Sequence, residues 1–120
     1  MVIDRYDTID QNDPPDVRRP RVTDLAALSV SNQDVVRARD TCVRFHEALL
    51  GAEHSQRRAR LDLEAATRVD EHHIDPDVAR RISQSIRESE AAIRRARELF
   101  PRCDSEMRGL RDRFGLARAR

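Results

Sequence analysis

The stretch Pro76–Phe100 reads PDVARRISQSIRESEAAIRRARELF, and its periodicity decides the fold. Ala79, Ile82, Ile86, Ser89, Ile93, Ala96 and Phe100 recur at alternating steps of three and four, and Cys103, Met107 and Leu110 carry the pattern onward. Such spacing lays a stripe along one helix face and is the heptad signature of a coiled coil. The start is marked as well: Asp75 can accept from free backbone N–H groups, Pro76 has the φ of a first helical turn, and Asp77 suits the positive end of the dipole. A helix is expected over about 76–114, with Gly115 as its stop. Pro101 removes one backbone hydrogen bond inside it, so a kink or brief interruption is expected there without loss of heptad phase.

The preceding segment carries a matching stripe: Val35, Ala38, Cys42, Phe45, Leu49, Ala52, Gln56, Ala59, Leu63 and Ala66. Ser31 with Asp34 approximates a capping box, and Val30 with Val35 a hydrophobic staple, so this helix is expected over about 32–70. Gly51 costs about 1 kcal/mol relative to Ala, too little to break so long a segment. At ~1.5 Å per residue each helix is a rod of roughly 60 Å.

Folding the chain near residues 71–74 sets Ala59 against Ile86, Leu49 against Ala96, Phe45 against Phe100 and Cys42 against Cys103. Gln56 falls opposite Ser89, polar against polar, and is expected to pin the register. The expected fold is therefore all-α: a long antiparallel two-helix coiled-coil hairpin, with a short helix near 23–29 presenting Leu25 and Leu28. Residues 1–21, with Pro14, Pro15, Pro20 and many Asp, are expected to form an extended or disordered tail ahead of a helical hairpin domain at 22–120.

One narrow seam rarely stabilises a chain of this size, so further burial is expected. Ala48, Ser55, Val69, Val78, Ser85, Ala92 and Leu99 make a smooth flank suited to a partner hairpin, giving a homodimeric four-helix bundle. Val36, Val43 and Leu50 make a separate outer stripe that the segment around Leu25 and Leu28 can cover. Val36, Val43, Leu50, Val69, Val78, Ala92 and Leu99 are thus the candidate interaction residues.

Composition removes several functions. The 120 residues hold 23 Arg, no Lys and 22 acids, so bulk charge does not recommend nucleic acid, a membrane or an acidic substrate. No apolar run approaches the ~18 residues of a membrane span, and the first residues lack a signal peptide's pattern. A cytoplasmic, reducing setting is the expectation. Cys42 and Cys103 share one layer, as two small buried apolar side chains or as a disulfide, a redox switch or half of a metal site, and backbone spacing across a coiled-coil seam is often wider than the ~5.5–6 Å a bridge prefers.

The turn concentrates Asp70, Glu71, His72, His73, Asp75 and Asp77, an acidic, histidine-bearing tip on an arginine-rich rod. It is a candidate for partner recognition and, more weakly, for a divalent cation. His46, Glu47, Glu53 and His54 lie on adjacent turns but lack the Glu-x-x-His pair of di-iron bundles. Arg57/Arg58, Arg80/Arg81, Arg94/Arg95, Arg108, Arg111 and Arg113 are interspersed with acids and have no aromatic beside most of them for base stacking, which disfavours nucleic acid. No catalytic residue, metal ligand or cofactor is assigned.

These features favour a non-enzymatic interaction protein: a homo-oligomeric helical-hairpin adaptor, small chaperone or assembly subunit, working with itself or with another protein and not with a membrane. The alternative is a regulator that binds nucleic acid or the transcription machinery through Arg faces or the acidic tip. Its basis is an outline similar to the acidic-tipped coiled-coil fingers that enter the RNA polymerase secondary channel, although no motif of that group is present.

Overall fold

The computed structural model describes residues 2–69 and 73–114. Four helices follow one another: α1 (Val2–Asp7), α2 (Pro15–Ala27), α3 (Gln33–Val69) and α4 (Pro76–Arg113), and no strand occurs among the described residues. α3 and α4 pack along their length as the hairpin, and the molecule measures 60 × 25 × 23 Å. Asp75 caps α4 by accepting from the Asp77 N–H at 2.8 Å, with Pro76 in the first turn. At the head of α3 the cap is Asn32, not Ser31: its Oδ1 accepts from the N–H groups of Asp34 at 2.9 Å and Val35 at 3.3 Å. α4 runs through Pro101 without interruption. One missing N–H bond is a local loss that the neighbouring turns and the packed seam hold in line.

The expected register appears at the end of the hairpin remote from the turn. Cys42 and Cys103 meet there as a disulfide with their Cα atoms 4.9 Å apart, and the rings of Phe45 and Phe100 lie 5.3 Å apart in a tilted arrangement. The bridge is one of the alternatives that the shared layer left open, and the backbones here are close enough for it, closer than a coiled-coil seam usually brings them. Gln56, however, is exposed while Ser89 is buried, so the expected register pin is absent.

The reason lies in which residues form the seam. Ala48, Ala52, Ser55 and Ala59 of α3 and Ser85, Ser89, Ala96 and Leu99 of α4 are buried, whereas Leu63, Ile86 and Phe100 are 44%, 46% and 42% exposed. Beyond its base α4 has only α3 for a neighbour. The small residues expected to receive a partner hairpin therefore line the hairpin's own seam, where short side chains let two backbones approach closely. The larger residues of the heptad stripe are turned to its edge. Of the expected flank, Leu99 is buried, Ala92 and Val78 are half-buried, and Val69 is exposed beside the turn.

The N-terminal residues also depart from expectation. Residues 1–21 are not an extended tail where described: they hold α1 and most of α2, and the expected helix near 23–29 is the end of α2, which stops at Ala27. Val2, Ile3 and Ile9, with Val22 and Leu25 of α2, join Val35, Val43, Phe45, Leu50, Met107 and Leu110 in one core. The spacing of Val2, Tyr6 and Ile9 makes one apolar helical face, followed by a turn in which the Ile9 N–H donates to the Tyr6 carbonyl at 3.0 Å. Pro14 and Pro15 stand ahead of and at the first turn of α2, where a missing N–H costs nothing, so they start a helix instead of preventing one.

Candidate functional site

Three places merit chemical scrutiny, beginning with the base, where polar groups are buried. Arg18 is 1% exposed, on the α2 face that also carries Val22 and Leu25. Its guanidinium donates from Nε to the Asp13 carbonyl at 3.0 Å and forms an ion pair with Glu53 of α3. A buried cation is tolerable only when it is paired and hydrogen-bonded, and both conditions are met. Arg111 of α4 pairs with Asp7 of α1, although its Nε has no hydrogen-bond partner among the described residues, and Arg113 pairs with Asp34, whose carboxyl is held below its usual range by that hydrogen bond and by the arginine's charge.

His46 of α3 is also buried, 2% exposed, with its ring 5.0 Å from Phe45 and 5.7 Å from Tyr6. Neither ring nitrogen has a hydrogen-bond partner among the described residues. Desolvation pushes its pKa down to about 4, with a further contribution from the Arg18 charge. It is a neutral aromatic wedge at neutral pH. Among the described residues no three His, Cys, Asp or Glu side chains converge on a metal position.

The second place is the turn. Asp70, Glu71 and His72 lie outside the described residues; His73 is exposed, Asp75 is occupied in capping, and Asp77 is in an ion pair with Arg80. The arginine faces are similarly engaged at several points: Arg80, Arg108, Arg111 and Arg113 each have a carboxylate partner.

The third place is the edge of the hairpin. Phe45, Leu49, Ile93, Ala96, Phe100 and Pro101 line an open, predominantly apolar groove, with Gln11 and Arg97 at its rim. From there Ile86 and Leu63 carry exposed apolar surface toward the turn. The opposite side of the hairpin is different: Arg44, Glu47, Arg95, Glu98 and Arg102 border Ala48, Gly51, Ala92 and Leu99, a trough with charged walls.

Across these places no family model, curated protein or solved structure matches the chain. Its function rests on its own surfaces.

Among the residues singled out from sequence, Val43 and Leu50 are buried in the core with Val22 and Leu25 of α2, and Val36 is half-buried beside them. That outer stripe is thus occupied by the chain itself. Ala92 borders the charged trough. The edge residues Ile86, Ile93 and Phe100 were legible only as seam positions; the signal that separates them is size, because Ala and Ser let the two backbones approach more closely than Ile or Phe does. No helix among the described residues is long and apolar enough to cross a membrane.

Proposed function

We propose that this chain is a non-enzymatic interaction protein that works as a homo-oligomer. The observation that supports it is the apolar edge of the hairpin, where Leu63, Ile86 and Phe100 stay 44%, 46% and 42% exposed while Ala and Ser take the protected seam. Exposed apolar side chains clustered on one edge mark association surfaces more often than scattered single ones do. The base is closed by a disulfide and ion pairs, so it serves as a rigid foot that presents the edge. Among the described residues no arrangement of nucleophile, base and oxyanion donors favours an enzyme.

Sedimentation equilibrium on the oxidised chain tests this directly. A dimer or larger assembly is expected at tens of micromolar, and Ile86→Glu is expected to shift the chain toward monomer without loss of helicity. The regulator alternative is tested by gel-shift titration against salt: binding that weakens steeply with salt favours it, and no binding at low salt removes its direct nucleic-acid form.

A further inference from the structure

Resting on the self-association reading, we infer the geometry of the pairing: two copies meet edge to edge and antiparallel, with Ile93 of α4 at the two-fold axis. Helical spacing places Ile82, Ile86, Ile93 and Phe100 on one strip of α4, with Glu90 and Arg97 on the same strip between them. Ile86 and Phe100 are exposed and Ile93 is half-buried. Glu90 and Arg97 are exposed, and neither has an ion-pair partner among the described residues, unlike Arg80 and Arg108 on the same helix.

The strip is complementary to its own reverse. With Ile93 facing its equivalent, Ile86, seven residues before, meets the partner's Phe100, seven after. Glu90, three before, comes beside the partner's Arg97, four after, and the symmetry makes that charge pair twice. A parallel arrangement would set Glu90 against Glu90 and Arg97 against Arg97, like charges at the centre of the contact, which is unfavourable. An isologous contact requires a surface that is its own complement, and charge order along α4 supplies it in only one direction. The second copy is therefore the occupant, in preference to an unrelated helix.

The extent of the surface sets its strength. From Ile82 to Phe100 the strip covers about 27 Å at ~1.5 Å per residue. Across a hairpin two helices wide this gives roughly 500 Å² per copy, near the lower limit for a specific interface and in the size class of weak, transient contacts.

The experiment uses the full chain with its disulfide intact. Sedimentation is followed from about 1 to 300 µM, a range that spans micromolar affinity. Glu90→Arg and Arg97→Glu are each expected to weaken dimerisation about tenfold, and the double variant E90R/R97E to restore it. Both sites are exposed, so circular dichroism should be unchanged in all three. Ile93→Cys should give a covalent dimer under mild oxidation, whereas Leu61→Cys, exposed elsewhere on α3, should not. Dimers that ignore the charge reversals, or an Ile93→Cys chain that does not cross-link, would overturn this geometry alone and leave self-association standing. A chain monomeric throughout the range overturns both.

Discussion

The base of the molecule and the distal half of its hairpin are made of the same two helices and differ in what covers them. At the base, α1 and α2 close over α3 and α4, and the core contains Val2, Ile3, Leu25, Phe45, Met107 and Leu110 around the Cys42–Cys103 bridge. Distally, Ser55, Ala59, Ser85 and Ser89 are buried between two helices only, and Leu61, Leu63 and Ile86 remain exposed. The difference teaches that heptad spacing establishes that helices pair, while side-chain size and the availability of a third helix determine which heptad residues are buried. Stability should accordingly be concentrated at the base, leaving the arm as the part free to associate.

The largest effect expected concerns the bridge. Cys42 and Cys103 are 61 residues apart in sequence, and the chain-entropy estimate for closing such a loop is about 4 kcal/mol. Replacing both with Ser should lower the denaturant midpoint accordingly, with the helices still formed at low denaturant. An unchanged midpoint would show that the bridge does not anchor the base.

Next comes the contrast between two aliphatic truncations. Leu25→Ala, at a fully buried site, should cost about 3 kcal/mol, within the usual span for core leucines. Ile86→Ala, at an exposed site, should cost less than about 1 kcal/mol in the monomer. Comparable losses from the two, measured by urea unfolding in dilute solution, would erase the distinction between base and arm.

A pH effect sharpens the comparison further. His46 has a folded-state pKa of about 4 against an ordinary 6.5, so the unfolded chain takes up its proton first as pH falls. The histidine's contribution is complete above about pH 6.5 and is lost progressively toward pH 4, amounting to about 2 kcal/mol by pH 5. His46→Phe should flatten stability between pH 7 and 5 relative to the native chain. His54, exposed on the same helix, serves as the control, and an equal flattening in His54→Phe would contradict the assignment.

Much of the architecture was legible in residue spacing. The limits of α3 and α4, the Asp75 cap and the Cys42–Cys103 and Phe45–Phe100 layers follow from periodicity and helix-end chemistry. The N-terminal helices were obscured because Arg18 occupies a core-facing position of α2, interrupting an apolar pattern that its ion pair with Glu53 makes tolerable. Prolines that normally argue for extended chain instead sit at a helix start. Gln56 was misplaced because spacing alone treats every heptad position as equally buried. The small-residue seam rotates the helices so that Ser55 is inside and Gln56 is outside. The apolar edge was hidden by the same assumption, and it is the part of the surface on which the functional proposal rests.

Amide hydrogen exchange, followed residue by residue at low and high protein concentration, tests the central contrast most directly. In dilute solution, protection should be highest at about 38–52 and 96–110 and should step down toward the turn. At high concentration, residues 82–100 should gain protection while α2 changes less. Uniform protection along both long helices in the dilute sample, or a concentration-dependent gain confined to α1 and α2, would contradict the account.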